Sequence, residues 1–318
     1  MSDRVLVIGA ANFDIKGRMA NPPVMYSSNT ALIRTSFGGV ARNIAENLAR
    51  LGVPVTLLTA VGDDYAGEGL LESAHEVGVD VSRALVIENA TTGTYLAALD
   101  DQGDMLLALD DLRVLRHITP DYLKQHRDAF RDCALVAMDL NLSDEALRTA
   151  IHLAHAYDKP ICVDPTSAVL ASTLRPYLPH LYVVTPNISE AEALLGDFEI
   201  RSSDDALLAA RQLVRLGVKV AVITQAERGA CYATESESGQ FPALRVNIVD
   251  TTGAGDALTA TLIFGLLNGF SISDALQLGI RAAALTLTST ETVAPELSLD
   301  RLYGMDEDLR SPDAEPVL

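Results

Sequence analysis

The chain has 318 residues, of which 48% are apolar, so it is long enough to bury a large core. Its formal net charge is −19, from 43 acidic and 24 basic residues. Because Lys and Arg contacts to phosphates dominate affinity for nucleic acid, this charge disfavours a polyanionic partner. The composition therefore excludes a disordered chain and favours a globular protein that acts on small molecules.

The cysteines and the start of the chain indicate the compartment. Cys133, Cys162 and Cys231 are far apart and form no CxxC pair, so neither a disulfide framework nor a zinc site is predicted. The first residues run directly into a predicted strand without a signal-peptide pattern, and no apolar run reaches membrane-spanning length. We therefore expect a soluble, cytoplasmic protein with no membrane partner.

The first predicted strand is the apolar run at residues 5–8, which suits a strand buried on both faces of a parallel sheet. Asn12 and Asp14 follow this strand. Ligands of open α/β sheets gather at the carboxyl ends of strands, so both side chains are candidates to contact a substrate. A plain turn accounts for Asn12 equally well.

The glycine pair Gly38 and Gly39 precedes a predicted helix that ends at Gly52. Asn43 lies one turn into this helix, where it faces either a ligand or solvent. A strand at residues 53–62 and a second helix follow. This alternation of strand and helix is typical of a parallel sheet.

Residues 85–109 break the alternation with short strands at 85–87, 92–99 and 105–109, the last two joined by a hairpin turn. With residues 16–37 they are predicted to form a small sheet that projects over the strand ends. Such a lid excludes water from a reaction. We place it at about 16–37 and 85–113 of a single domain that spans residues 1–318.

Three later strands end in polar residues, namely Asp139, Asp164 and Asn187. Parallel strands bring these ends to one edge of the sheet, so we expect the three side chains to lie near the substrate. Asn187 and Glu190 are three residues apart and so share a helical face. They form either a helix cap or an oxygen-ligand pair that holds magnesium through its water shell.

A further strand at residues 218–224 is followed by a loop at 225–229, on which a nucleotide could pack. The stretch from Asp250 to Asp256 then places two glycines before an apolar helix. Backbone N–H groups at such a helix start form an anion site. Asp256 is predicted to act either as a general base beside this site or as an ordinary helix cap. The tail after Tyr303 is acidic, and its end is predicted to fray.

The stretch at residues 250–256 matches the Asp-Thr-x-Gly-Ala-Gly-Asp signature of the ribokinase-like family, the PfkB sugar and nucleoside kinases, position for position. A second family signature, a glycine pair followed shortly by asparagine, resembles Gly38, Gly39 and Asn43. Together with the residues at 12–14 and 187–190, these motifs span nearly the whole chain in the expected order.

The resemblance implies a doubly wound, mainly parallel sheet flanked by helices, with a small β-sheet lid. It also implies ATP as phosphoryl donor with Mg²⁺, and K⁺ at the anion loop. As catalytic residues it implies Asp256 as base, with the N–H groups of Gly253, Ala254 and Gly255 holding the phosphoryl charge. The substrate-binding residues are then Asn12, Asp14, Gly38, Gly39, Asn43, Thr94, Asp139, Asp164 and Asp256.

The remaining implied residues bind the nucleotide and the metals. The nucleotide set comprises Asn187, Thr224, Gln225, Gly229, Thr252, Gly253 and Gly255. Magnesium is assigned through water to Asn187 and Glu190, and potassium to Asp250, Thr252 and Thr288. One departure affects the nucleotide loop, because Ala226 stands where the family often has glycine.

Within the family the chain is most similar to the pseudouridine-kinase branch. The stretches that carry this resemblance are residues 103–111, 118–127, 141–147, 163–168 and 288–292. They imply ATP-dependent phosphorylation of the 5′-hydroxyl of pseudouridine by a homodimer that pairs through its lid. The alternatives are a kinase for another nucleoside or sugar, such as ribose, adenosine, inosine or fructose, and a ligand-binding relative that has lost catalysis. Asp256 argues against the last, because a pure binder has no use for a base at an anion site.

Overall fold

The computed structural model describes residues 3–310, with side chains described as far as residue 305. The strands, in chain order, are β1 (Val5–Ile8), β2 (Asn12–Met19), β3 (Ala31–Gly38), β4 (Val55–Leu58), β5 (Ala60–Gly62), β6 (Val79–Asp80), β7 (Leu85–Ile87), β8 (Thr94–Leu99), β9 (Met105–Asp111), β10 (Leu135–Asp139), β11 (Ile161–Asp164), β12 (Val183–Val184), β13 (Val220–Thr224), β14 (Ala230–Ala233) and β15 (Ser238–Phe241).

The α-helices, in chain order, are α1 (Val40–Arg50), α2 (Tyr65–Glu76), α3 (Pro120–Gln125), α4 (Arg127–Asp132), α5 (Asp144–Ala156), α6 (Ala168–Ala171), α7 (Ile188–Leu195), α8 (Ser203–Arg215), α9 (Ala254–Leu267), α10 (Ile272–Leu287) and α11 (Leu299–Arg310). Short 3-10 helices lie at Arg113–His117, Ser172–His180 and Ala226–Arg228. The predicted frayed end of the tail lies outside the described residues.

The main sheet has nine strands in the order β15-β14-β13-β12-β11-β10-β1-β4-β6. From β13 to β6 every neighbouring pair is parallel, whereas β14 and β15 are added antiparallel at one edge. Helices cover both faces, as the alternating side chains of β1 show. Leu6 and Ile8 pack into one core with α3 to α8, and Val5 and Val7 pack into the other with α1, α9 and α10. This confirms the predicted doubly wound α/β fold.

The carboxyl ends of the central strands meet at one edge, as predicted. Asp139 and Asp164 are register partners at the ends of β10 and β11, and Asn187 forms an isolated bridge to Thr224. The parallel register therefore brings the polar strand ends together although they are far apart in the sequence.

A second sheet has four strands in the order β3-β2-β8-β9. The pairs β2 with β3 and β8 with β9 are antiparallel, and β2 with β8 is parallel. This sheet, which we call the lid sheet, follows the prediction except at residues 85–87. That segment is β7, which pairs with β5 instead, because Leu85 and Ile87 pack against the main core.

The run predicted as one strand at residues 53–62 is divided into β4 and β5. The break falls at Thr59, whose buried hydroxyl donates to the carbonyl of Gly9. Among residues 3–310 the structure contains no helix long and apolar enough to cross a membrane.

Candidate active site

The loop before α9 leaves its backbone N–H groups uncapped. Gly253 is the N-cap residue, has a φ of 83°, and no side chain caps the helix there. A Cβ at Gly253 would lie 1.8 Å from the carbonyl oxygen of Thr292, so glycine is needed at this position. A Cβ at Gly255 would meet no described atom within 4 Å. The helix start therefore faces open space, as an anion site requires.

Asp256 is the third residue of α9, and its side chain does not cap the helix. It is 8% exposed and accepts a hydrogen bond of 2.7 Å from Nδ2 of Asn43. Burial raises the pKa of Asp256; the bond from Asn43 opposes this, and the nearby carboxylates of Asp139, Asp14 and Glu190 add to it. A raised pKa makes the carboxylate a stronger base, so the structure favours the general-base interpretation over the cap.

The orientation of the Asn43 amide follows from its other neighbour. Nη1 of Arg42 lies 3.2 Å from Oδ1 of Asn43, and a guanidinium only donates hydrogen bonds. The amide oxygen therefore faces Arg42, and the amide nitrogen faces Asp256. The hydroxyl of Thr292 also lies 3.1 Å from Oδ1. Neither Arg42 nor Thr292 carried a sequence signal for this role.

Asp14 lies on β2 and faces the anion loop. It is 4% exposed and accepts a hydrogen bond from the amide of Asn12. A Cβ at Gly38 would lie 2.3 Å from its Oδ2, so the glycine makes room for this carboxylate. Burial raises the pKa of Asp14 to about 6, although the charges of Lys16 and Arg42 oppose the shift. Asp14 and Asn12 are thus in direct contact, and Asp14 lies near enough to Asp256, the partner of Asn43, to raise its pKa. The role of the three residues in holding a substrate stays a prediction.

Other predicted substrate contacts lie around this cluster. A Cβ at Gly39, whose φ is 98°, would lie 2.4 Å from the carbonyl of Ala10, so this glycine lets α1 begin close to the end of β1. Thr94 begins β8 beside Phe13, and its hydroxyl donates to the carbonyl of Thr92. The role of Thr94 in substrate binding stays a prediction.

Asp139 has a different environment from the one predicted. It is 0% exposed and accepts hydrogen bonds from the N–H groups of Ala10, Ala41 and Asn141, at 2.7, 3.1 and 2.8 Å. Burial raises its pKa, and these N–H groups oppose the shift. Because its partners are backbone groups of the strand ends and of α1, its contacts give it a supporting role rather than the predicted contact with substrate.

Asp164, at the end of β11, lies near Asp256 and Glu190. It is 8% exposed and accepts a hydrogen bond of 2.9 Å from the N–H of Thr166. Burial raises its pKa, and the carboxylates of Asp256 and Glu190 raise it further. These three buried acids repel one another, so a bound cation would stabilise all three in their ionised forms.

Asn187 and Glu190 form a capping box at the start of α7. Oδ1 of Asn187 accepts from the N–H of Glu190, and Oε2 of Glu190 accepts from the N–H of Asn187. Oε1 of Glu190 accepts a hydrogen bond of 2.7 Å from Nδ2 of Asn187. Of the two predicted alternatives, the helix cap is therefore observed. The described residues contain no group of three His, Cys, Asp or Glu placed to hold a metal directly. Carboxylate and amide oxygens fit Mg²⁺ bound through water, and that role stays a prediction.

Lys16 is a site residue that the sequence analysis missed. Its Nζ donates a hydrogen bond of 2.7 Å to Oδ2 of Asp250 and one of 2.6 Å to Oγ1 of Thr252. It lies two residues after Asp14 on β2, and alternate residues of a strand share a face. That spacing was the signal that could have placed Lys16 beside Asp14 over the site.

Comparison with known proteins decides the family. Residues 2–298 match the profile described as pfkB family carbohydrate kinase. The chain belongs to the pfkB family of carbohydrate kinases. It is therefore a phosphotransferase of the carbohydrate and nucleoside kinase class, as the sequence motifs predicted.

Several pfkB-family relatives resemble the chain over nearly its full length. It is 33% identical to pseudouridine kinase of Escherichia coli, over 96% of this chain and 97% of that one. It is 31% identical to guanosine-inosine kinase of Exiguobacterium acetylicum, over 94% and 99%. The solved Arabidopsis thaliana ribokinase, complexed with ribose and ATP, superposes with a TM-score of 0.82 at 22% identity, over 95% and 99%. The last likeness supports the fold.

The nucleotide loop of this pfkB-family kinase departs from the family pattern at Ala226. Ala226 has a φ of 50°, in the left-handed region that glycine adopts without strain. Gln225 beside it is 2% exposed, and its Oε1 has no hydrogen-bond partner among the described residues. A Cβ at Gly229 would lie 2.0 Å from the carbonyl of Phe241. An unpaired buried acceptor next to Thr224 fits a site for a hydrogen-bond donor such as a nucleotide base.

The residues predicted to hold potassium are already engaged. Oδ1 of Asp250 accepts from the N–H of Thr252 at 2.9 Å, and Oδ2 accepts from Lys16. The hydroxyl of Thr288 donates 2.7 Å to the carbonyl of Leu285 at the end of α10. The ammonium of Lys16 thus bonds the oxygens of Asp250 and Thr252 that a potassium ion would need, so this set does not fit K⁺ well.

Proposed function

We propose that this protein phosphorylates the 5′-hydroxyl of pseudouridine with ATP to give pseudouridine 5′-phosphate. The observation that carries the proposal is the likeness to Escherichia coli pseudouridine kinase, which extends over almost the whole of both chains. The site supports the same chemistry, because a buried carboxylate of raised pKa lies at the start of an uncapped helix. In this arrangement the base activates the acceptor hydroxyl, and the adjacent anion site binds the phosphoryl group that is transferred to it.

In the proposed reaction Asp256 takes the proton of the acceptor hydroxyl. The N–H groups of Gly253, Ala254 and Gly255 hold the negative charge of the migrating phosphoryl group. Asp14, Gly39 and Asn43 hold the ribose hydroxyls, with Gly38 packed under Asp14 and with Asn12 and Thr94 near the base. Asp256 performs this step in its ionised form, which the bond from Asn43 favours.

The donor side is proposed as ATP with magnesium. Thr224, Gln225, Gly229 and Asn187 are assigned to the nucleotide, together with Thr252 and the anion loop. Magnesium neutralises phosphate charge when bound, and Asn187 and Glu190 would hold its water shell. The mutual repulsion among Asp164, Asp256 and Glu190 supports a cation here.

A kinase for purine nucleosides is the second candidate. The observation that favours it is the 31% identity to guanosine-inosine kinase, only slightly below the value for pseudouridine kinase. The anion loop and base serve both reactions equally well. Groups that contact the nucleobase distinguish the two, and these lie on the lid sheet and the strand ends.

The decisive experiment is an ATP-consumption assay with pseudouridine, uridine, guanosine, inosine, adenosine, ribose and fructose 6-phosphate as acceptors. We expect the highest kcat/KM for pseudouridine. Equal or greater activity on uridine would show that the C-glycosidic base is not recognised. A preference for guanosine or inosine would show instead that the protein is a purine-nucleoside kinase. For the nucleoside acceptors the product is identified by its mass and by its cleavage with periodate, because a 5′-phosphate leaves the 2′,3′-diol oxidisable whereas a 2′- or 3′-phosphate blocks it.

We also propose a homodimer formed through the lid sheet. The face of that sheet opposite Asp14 and Lys16 carries exposed apolar side chains: Ile33, Leu96, Leu107 and Leu109 are 59%, 40%, 56% and 57% exposed. A contiguous exposed apolar face is typical of an association surface. Light scattering after size exclusion should give the dimer mass for the wild type and the monomer mass for the double variant Leu107→Glu and Leu109→Glu. Leu208→Glu, at an exposed position of α8, is the control.

A cytoplasmic location is part of the proposal. Cys133, Cys162 and Cys231 are free and buried, as in proteins of reducing compartments.

A further inference from the structure

The contact between Lys16 and the anion loop joins two parts of the molecule that are 234 residues apart in sequence. Lys16 belongs to the lid sheet, whereas Asp250 and Thr252 precede the helix start that forms the anion site. The side chains of Lys16 and Asp250 are 16% and 25% exposed, so the pair is largely shielded from water. Its attraction is therefore stronger than that of a surface ion pair.

The charge of Asp250 needs a partner in this position. Oδ2 of Asp250 accepts a hydrogen bond of 2.7 Å from the Lys16 ammonium, and Oδ1 accepts one of 2.9 Å from the N–H of Thr252. Both oxygens of Asp250 therefore act as acceptors, as those of an ionised carboxylate do. A carboxylate three residues before Gly253 repels an incoming phosphate unless a cation neutralises it.

A potassium ion and a lysine ammonium are alternative sources of that cation. Each carries one positive charge, and each interacts with carboxylate and hydroxyl oxygens at close range. Lys16 donates hydrogen bonds to side-chain oxygens of Asp250 and Thr252. The hydroxyl of Thr288 donates to the carbonyl of Leu285 at the C-terminal end of α10. While Lys16 is bound to these oxygens of Asp250 and Thr252, they are not free to coordinate a potassium ion.

We propose that Lys16 is a built-in replacement for a monovalent cation at the anion loop, so that this kinase works without potassium. Lys16 is thus a positioning residue: it neutralises Asp250, fixes Thr252, and keeps the loop before Gly253 in the shape that receives a phosphoryl group.

The inference rests on the proposed phosphotransfer but not on the identity of the acceptor. The test compares rates in tetramethylammonium chloride and in potassium chloride at equal ionic strength, with whichever acceptor is most active. Wild-type rates should agree within about twofold. Lys16→Met should lose about tenfold or more of kcat/KM without potassium, and potassium should restore most of the loss. A wild type with no activity on any acceptor would instead contradict the proposed function.

Arg18→Met is the matched control. Arg18 lies on the same strand and the same face as Lys16, but it is exposed and donates to the carbonyl of Asp101 in the turn between β8 and β9. Its loss removes one lid charge without touching the anion loop, so the rate should stay near the wild type in both salts. Activation of the wild type by potassium of about tenfold or more would overturn the proposal, as would full activity of Lys16→Met without potassium.

A second readout does not depend on activity. The melting temperature of the ligand-free wild type should be the same in the two salts, whereas that of Lys16→Met should be higher in potassium chloride, because the exposed oxygens then bind the ion. Lys16→Gln provides a second variant if Lys16→Met folds poorly. Equal melting of a folded Lys16 variant in both salts would overturn the proposal, because its oxygens would then show no affinity for the ion.

Discussion

The side-chain amide of Asn43 on α1 donates a 2.7 Å hydrogen bond to Asp256 on α9. The contact joins two motifs that are 213 residues apart in sequence. The carboxylate that we propose as the base is therefore hydrogen-bonded by Asn43, a residue that the sequence analysis assigned to substrate binding. The bond favours the ionised carboxylate, while burial favours the protonated one.

Removal of the base should abolish most turnover. Asp256→Asn keeps an oxygen that accepts from Asn43, so the fold and substrate binding should be retained. We expect kcat to fall by about 10² to 10⁴, the range for loss of a general base. Asp274→Asn, at an exposed helix start, is the control and should match the wild type. Turnover that survives unchanged in Asp256→Asn would remove it from the catalytic role.

Removal of the Asn43 amide should change the pH dependence of the rate. Because the bond lowers the pKa of Asp256, Asn43→Ala should raise it, and the rate should then reach its plateau at higher pH by about one unit. The measurement is kcat against pH between about 5 and 9. Asn268→Ala, which removes a side-chain bond to Phe264 at the far end of α9, should leave the profile in place. An unshifted profile for Asn43→Ala would contradict the tuning role.

Acid should weaken substrate binding as well as turnover. Asp14, with a pKa of about 6, loses its charge as the pH falls through that value, and a neutral carboxyl accepts hydroxyl hydrogen bonds less strongly. The KM for the acceptor should therefore rise below about pH 6 in the wild type. In Asp14→Asn the KM should be high and nearly independent of pH. A KM that is constant in the wild type across this range would contradict the assignment of Asp14.

The two glycines of the anion loop should respond differently to alanine. Gly255→Ala places a methyl group in open space, so the melting temperature should stay near the wild type while kcat/KM falls by about tenfold or more, because the methyl competes with the phosphoryl group. Gly253→Ala collides with Thr292 and requires a φ of 83°, so it should lower stability by about 1 to 3 kcal/mol. Unchanged activity in Gly255→Ala would show that the phosphoryl group is held elsewhere.

Ala226→Gly should stabilise the protein. Ala226 has a φ of 50°, a conformation that costs a non-glycine residue about 1 to 2 kcal/mol, partly offset by the greater freedom of glycine in the unfolded chain. We expect the free energy of unfolding in urea to rise by about 0.5 to 1 kcal/mol. Gly229→Ala in the same loop should destabilise it, because its Cβ would collide with Phe241. A loss of stability in Ala226→Gly would contradict the assigned strain.

Much of the fold was predictable because its signals are local. The apolar run at residues 5–8 indicated a strand buried on both faces, and glycine followed by helical spacing located α1. The segment at residues 85–87 was assigned to the wrong sheet. Its pairing with β5 depends on packing of Leu85 and Ile87 against the main core, and a three-residue strand carries no signal for its partner.

The candidate site was predictable where a motif fixes the chemistry. The glycines and Asp256 were recognised from their spacing, and the order of the strands brought Asp164 and Asn187 to the same edge. Asp139 shows the limit of this reasoning. It ends a strand as Asp164 does, but its burial and its three N–H partners give it a supporting role. Position at a strand end does not determine which way a side chain faces.

The sequence by itself determined the family, the sheet that carries the candidate site, and the presence of a carboxylate beside a glycine-rich helix start, because each depends on residue type and spacing within one segment. Only the tertiary structure decided how the segments act on one another. Asn43 lies against Asp256, and Lys16 lies against Asp250, across more than 200 residues of chain. Such contacts are set by the packing of α1, α9 and the lid sheet around a shared core, and no local pattern encodes them.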